Sequence, residues 1–285
     1  MSTNHTPSPR VPDSDFRSRY GEWAVVTGAS DGIGRAFART LAARKIDLVL
    51  VARRLLPMQA LSIELTAAHG IKTRVVVADL ATDEGCRKMI DYCVDLDVGL
   101  LVASAGFGTS GSFVHNPIAL EQEMLAVNCA AVLGQCWHFG NRFAARGRGG
   151  IVLMSSVLAF QGTPRSANYA ATKAYVQTLA EGLRVELKAF GVDVLASAPG
   201  PINTGFAVRA NLRMSQTLEP DVVATQTLAA LGKLTTVRPG WLSKLLGGSL
   251  ATAPRWLRVK IIGQVMHGMT SHQAHDPATG KASTS

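Results

Sequence analysis

Tyr169 and Lys173 stand four residues apart in a stretch with helical apolar spacing, so their side chains share one helix face. A free tyrosine titrates near ~10, too high for ready proton exchange at neutral pH. An ammonium beside it favours the phenolate and brings it into a useful range, which suits the pair to moving a proton on and off an oxygen. Ser156 closes a β-branched run thirteen residues before Tyr169. Its hydroxyl can hydrogen-bond an oxygen on which charge develops. Asn128 sits farther upstream in a long helical stretch. Tyr-x-x-x-Lys alone equally describes a half-buried tyrosine next to a surface lysine. The group becomes specific through the strand-terminal serine and a glycine loop near the start of the chain.

That loop, Thr27-Gly28-Ala29-Ser30-Asp31-Gly32-Ile33-Gly34-Arg35, follows a short apolar run and leads straight into helical spacing. Gly28 permits a tight turn, Gly32 lets backbone approach a pyrophosphate, and Gly34 allows close helix–strand packing. The helix start offers free N–H groups and a positive dipole end to phosphates, with Ser30 and Ile33 as further contacts. About twenty residues on, where an NAD-binding chain places an acid on the ribose 2′-hydroxyl, the second run ends in Ala52-Arg53-Arg54. Two guanidinium forks suit a 2′-phosphate, so NADP(H) is expected in preference to NAD(H). Two solvated arginines at a strand end are the plainer alternative, and Asp31 is a mild signal against a phosphate.

The elements that must position these groups alternate regularly. Strand-like runs occupy Trp23–Thr27, Leu48–Ala52, Thr73–Ala78, Gly99–Ala103, Ile151–Ser155 and Val192–Ala196. Helical stretches lie near Ile33–Arg44, Leu55–Ala68, Asp83–Cys93, Ile118–Ala145 and Tyr169–Phe190. Continuous apolar strands separated by helices imply a parallel sheet covered on both faces. Right-handed crossovers make it a doubly wound, Rossmann-type α/β fold in a single domain. That domain is expected over 21–270, with flexible tails at 1–20 and 271–285.

With these motifs in place the sequence closely resembles the short-chain dehydrogenase/reductase family, from about Gly21 to about Thr204 and more loosely beyond. The family's T-G-x-x-x-G-x-G stands here as Thr27 to Gly34. The resemblance implies that Asp79 and Leu80 meet the adenine ring and that Pro199, Gly200 and Thr204 contact the nicotinamide end. It implies Ser156, Tyr169 and Lys173 as the active-site triad, with Lys173 on the nicotinamide ribose and Asn128 holding a proton-relay water near the lysine. One motif departs: where the family has Asn-Asn-Ala-Gly, this chain has Ala103-Ser104-Ala105-Gly106. Ser104 is expected to replace part of the lost hydrogen bonding. The activity implied is interconversion of a carbonyl and a secondary alcohol on a small hydrophobic substrate of ketone, steroid or 3-oxoacyl type. Phe107, Leu158, Phe160 and the segment from Phe206 to Leu218 are the expected pocket lining. A non-catalytic NADP(H)-sensing protein on the same fold is the alternative, though such proteins typically lose the tyrosine or the lysine. Family members often pair through their long helices, so a homo-oligomer is expected.

The remaining features narrow the class. A formal charge of +9 favours anionic partners, but no zinc-finger spacing or RNP-type aromatic motif supports nucleic acid. Cys86, Cys93, Cys129 and Cys136 form no C-x-x-C pair, and neither they nor His267, His272 and His275 suggest a metal. Met1–Arg19 has no apolar core of a signal peptide, and no run of eighteen apolar residues occurs. A cytoplasmic protein is expected. Between Asp221 and Asp276 there is no acid, whereas Lys233, Arg238, Lys244, Arg255, Arg258 and Lys260 alternate with Trp241, Leu245, Leu246, Trp256, Leu257, Ile261 and Ile262. This tract reads as a helical cap packed on the core. The alternatives are a peripheral membrane contact and a lid over a greasy substrate.

Overall fold

Runs that are apolar on both faces are stable only inside a two-sided sheet. Six largely apolar runs form strands: β1 Trp23–Thr27, β2 Asp47–Ala52, β3 Thr73–Val77, β4 Val98–Ala103, β5 Gly149–Met154 and β6 Val192–Ser197. The computed structural model describes residues 13–214, 217–241, 243 and 253–273. It adds a seventh strand, β7 Thr236–Val237, whose two residues are too few to show any period in the sequence. Helices fill the crossovers: α1 Asp13–Tyr20, α2 Gly32–Ala43, α3 Leu55–His69, α4 Asp83–Asp91, α5 Ile118–Leu125, α6 Ala131–Ala145, α7 Ala167–Lys188, α8 Phe206–Arg209, α9 Pro220–Ala230 and α10 Arg255–Thr270.

The strands are parallel throughout, in the order β3-β2-β1-β4-β5-β6-β7. Alternate residues feed two separate cores. Val26, Leu48, Leu50, Val152 and Leu195 pack with Phe37 and Leu41 of α2, Met58 and Leu65 of α3, and Val223 of α9. Their neighbours Val25, Val49, Leu101, Ile151 and Val194 pack with Met89 of α4, Phe139 and Phe143 of α6, and Val176 of α7. Phe37 and Phe139 are wholly buried, so truncating either to alanine should cost about 3–5 kcal/mol. The chain winds outward from β1 in one direction and from β4 in the other. The carboxyl ends of these two neighbours therefore flank a crevice, which is where ligands bind in such sheets.

Two expectations change. The polar start, read as a mobile tail over 1–20, is helical from Asp13. Phe16 and Tyr20 are buried in the first core, the Tyr20 hydroxyl donates to Asp193 Oδ2 at 2.9 Å, and Arg19 pairs with the same oxygen at 2.7 Å. A single turn's worth of aromatic spacing among polar residues carried too little signal to reveal this. The rest of that tail lies outside the described residues, as do residues 274–285. The long helix expected over Ile118–Ala145 is broken by a π turn, Ala126–Ala130, in which the Ala131 N–H bonds the Ala126 carbonyl five residues back.

In the basic tract, α10 turns Ile262, Met266 and Thr270 into the protein. Arg165 Nε donates to Thr270 Oγ1, and the Arg213 N–H donates to the Met269 carbonyl at 2.9 Å. The helix is thus pinned at its carboxyl end, as the packed-cap reading requires. Trp256 and Trp241 are exposed, while Lys244, Leu245 and Leu246 lie outside the described residues. Among the described residues no helix is long and apolar enough to cross a membrane.

Candidate active site

The crevice opens into a cavity of about 860 Å³. Its floor is the loop after β1. Gly28 adopts φ +68°, and a Cβ there would lie 3.0 Å from Ala105 Cα and N. At Gly34 a Cβ would lie 2.3 Å from the Gly28 carbonyl oxygen, so only glycine lets α2 start against the strand. Asp31 caps α2 by accepting from the Gly32 N–H at 2.7 Å. That bond explains an acid where a base might have served a phosphate. Beside it Arg54 Nη2 donates to Ser30 Oγ at 3.2 Å and lies 3.5 Å from Asp31 Oδ2. Arg53 turns the other way, to Glu123 Oε1 at 3.0 Å and Asp79 Oδ2 at 3.9 Å. Gly28, Ser30, Gly32, Ile33, Gly34, Arg53, Arg54, Asp79 and Leu80 all line this one cavity. A helix amino terminus, two arginines and a glycine-rich turn form a donor set that fits a phosphorylated nucleotide.

Ser156, Tyr169, Lys173, Pro199, Gly200 and Thr204 line the cavity as well. Ser156 caps a short 3-10 turn, and its Oγ accepts from the Leu158 N–H at 3.2 Å. That bond fixes the oxygen and leaves the hydroxyl proton to be donated. Tyr169 is buried, and burial pushes its phenol up to about 12 while the hydrogen bond with Ser156 pulls it down. Burial brings Lys173 down to about 8, against a smaller opposing effect of Cys129. The ammonium lies 5.7 Å from the Tyr169 ring centroid and donates to the Met154 carbonyl at 2.8 Å. The expected lowering of the tyrosine by this lysine is therefore not what the protein groups alone produce, because desolvation dominates. Tyr169 is a neutral phenol at neutral pH, the form that can donate a proton.

Asn128 lies one layer behind the cavity wall. The π turn aims its side chain at the turn after β4, where Oδ1 accepts from the Phe107 N–H at 3.1 Å. Its Nδ2 donates to the Phe107 carbonyl at 2.9 Å and to Thr172 Oγ1 at 3.0 Å. Thr27 Oγ1 accepts from the N–H groups of Ser104 and Ala105, both at 3.0 Å. Together they brace the turn that departs from the family's double asparagine. The Ser104 side chain, expected to share that task, makes no hydrogen bond among the described residues; its backbone does.

The opposite wall corrects the expected lining. Phe107, Leu158 and Phe206 are there, but Phe160 is not: its ring carries the Arg238 guanidinium at 4.5 Å instead. From the Phe206–Leu218 segment, Phe206, Val208, Arg209, Ala210, Leu212 and Met214 contribute. Ile262, Val265, Met266 and Met269 of α10 complete the wall. Of these four only Ile262 stood out in the sequence, and their position on the cavity is the arrangement that the alternative of a lid over a greasy substrate describes. Cys129 and Cys136 remain free thiols whose pKa is raised by burial, which disfavours the thiolate.

A family model described as short chain dehydrogenase matches residues 22–214. A 7beta-hydroxysteroid dehydrogenase of Clostridium sardiniense is 32% identical over 65% of this chain and 71% of its own. A very-long-chain 3-oxoacyl-CoA reductase-like protein of Arabidopsis thaliana is 33% identical over 80% of this chain and 75% of its own. Among solved structures, a short-chain dehydrogenase from Sphingobium yanoikuyae in complex with NADPH superposes with a TM-score of 0.73. It has 29% identity, covering 89% of this chain and 98% of that one.

Proposed function

Because the chain belongs to the short-chain dehydrogenase/reductase family, we propose that it interconverts a bulky apolar ketone and its secondary alcohol with NADP(H). The observation that carries this reading is one cavity with a phosphate-type donor set at one end and Ser156, Tyr169 and Lys173 beyond it. A bound nicotinamide cofactor supplies or accepts the hydride. In reduction Ser156 donates a hydrogen bond to the substrate oxygen and Tyr169 gives it the proton. The high phenol pKa keeps that proton in place until charge develops on the oxygen. Lys173, held by the Met154 carbonyl, keeps two further N–H donors for the cofactor ribose. Asn128 keeps the turn after β4 in register and serves the proton relay beside Lys173.

Arg53 and Arg54 favour the 2′-phosphorylated cofactor, and the NADPH complex of the Sphingobium protein supports the same choice. The methionine- and leucine-lined wall suits a steroid or a 3-oxoacyl chain, the two substrate types in the relatives' names. On this reading the working domain continues through about residue 270, since α10 closes the cavity. Pairing with a second copy through α6 and α7 is part of the proposal, supported by exposed Leu133, Trp137, Tyr175 and Val185 on those helices. The non-catalytic alternative gives no reason for Ser156, Tyr169 and Lys173 to converge on one cavity.

NADPH consumption against steroid ketones, 3-oxoacyl thioesters and aromatic ketones tests the activity. At least one class should be reduced, and Tyr169→Phe should lower turnover about a hundredfold or more while cofactor binding persists. Turnover by that variant within a few-fold of the parent would remove Tyr169 from the chemistry.

A further inference from the structure

The segment that follows β6 carries α8, a single helical turn with a different task at each end. At its start the Phe206 ring lies 5.3 Å from the Tyr169 ring, centroid to centroid. At its end the Arg209 guanidinium lies 3.8 Å from the centroid of the Phe107 ring, and its Nη2 is 3.3 Å from Glu123 Oε1. The same carboxylate oxygen takes Arg53 Nη1 at 3.0 Å, and Asp79 stands 3.9 Å from Arg53 on the other side. One turn of helix and one arginine side chain therefore bridge from the proton donor to the arginine at the end of β2. Gly28, Ser30 to Gly34, Arg53, Phe206 and Arg209 line one continuous cavity, so a dinucleotide reaching from Arg53 to Tyr169 would run alongside α8.

Arg209 is built to meet an anion there. Stacking on Phe107 holds the guanidinium by its face, and among the described residues Glu123 is its one hydrogen-bonding partner. A guanidinium carries five N–H donors in a plane, so most of its edge remains available to phosphate oxygens. On the reading above Arg53 and Arg54 serve the 2′-phosphate, whereas Arg209 reaches the cavity from α8, whose first residue lies against Tyr169.

We infer that Arg209 is a further cofactor-binding residue, which holds the diphosphate shared by both nicotinamide dinucleotides and ties α8 down over the bound cofactor. This rests on the nicotinamide-dependent reading above. It also makes α8, whose Phe206 touches Tyr169, the element through which cofactor binding closes the substrate side.

Dissociation constants for NADPH and NADH, read from cofactor fluorescence, test the inference without turnover. Arg209→Gln should weaken both cofactors alike, by about tenfold or more, as expected for losing a hydrogen bond to a charged group. Arg209→Lys, which keeps the charge and loses the planar fork, should fall between it and the parent for both cofactors. Arg53→Ala should weaken NADPH alone. Saturating cofactor should protect the parent, but not Arg209→Gln, from chymotryptic cleavage after Phe206. If Arg209→Gln binds both cofactors as the parent does, or loses affinity for NADPH only, the inference is overturned and the oxidoreductase reading stands. A parent chain that binds neither cofactor overturns both.

Discussion

The two ends of the cavity are made by different means. The nucleotide end is assembled from strand termini and the start of α2, with Gly28 and Gly34 packed against backbone and Thr27 tying β1 to the turn after β4. The other end is assembled from segments late in the chain, 206–214 and α10, and its lining is made of side chains, among them Leu212, Met214, Ile262, Met266 and Met269. Backbone geometry at the first end leaves few acceptable residues at each position. Apolar packing at the second accepts many, provided that volume is kept. The nucleotide end should therefore fail abruptly when altered, whereas the substrate end should change what it accepts.

Gly34→Ala sets the upper limit of this contrast. Its Cβ would lie 2.3 Å from a carbonyl oxygen, and relief requires moving the loop or α2. We expect affinity for NADPH and NADH to fall by about a hundredfold or more, since such overpacking costs roughly 1–3 kcal/mol or more and shifts backbone. Titration of each cofactor checks this, and retention of parental affinity would show that the loop yields easily.

Met269→Trp probes the other end. It should lower kcat/KM for bulky ketones by about tenfold, the scale of a changed apolar pocket, and leave small ketones and cofactor binding nearly untouched. Equal losses for small and bulky ketones would mean that α10 supports the fold and does not shape selectivity.

The smallest effect tests the groups where the two ends meet. Burial holds Lys173 at about 8 against an ordinary 10.5. Between those values the unfolded chain keeps the proton and the folded chain does not. The lysine's contribution to stability is therefore complete above pH 10.5 and is lost as pH falls through about 8. Tyr169, raised from 10 to about 12, acts in the opposite sense above pH 10, where its unfolded form ionises first. Denaturant unfolding between pH 8 and 10 should thus show the parent gaining stability relative to Lys173→Met. A difference that stays constant over that interval would refute the assignment.

The sheet and the polar residues of the candidate site were legible in local patterns of the chain. Runs such as Leu48–Ala52 and Gly99–Ala103 carry no polar side chain on either face, which is the pattern of a strand in a covered parallel sheet. Glycine spacing, the Arg53–Arg54 pair and Tyr169–Lys173 on one helix face are local patterns that the chain displays directly, although burial decides how the tyrosine and the lysine titrate. Long-range packing set the polar start of the chain against the core through Phe16 and Tyr20, and the π turn that aims Asn128 at Phe107. It also decided that Glu123 joins Arg53 to Arg209, and that α10 walls the cavity while Phe160 lies under Arg238. One cause underlies all of these. An apolar residue or a charge carries no address of its own, and its partner is chosen by the packing of segments far apart in the chain.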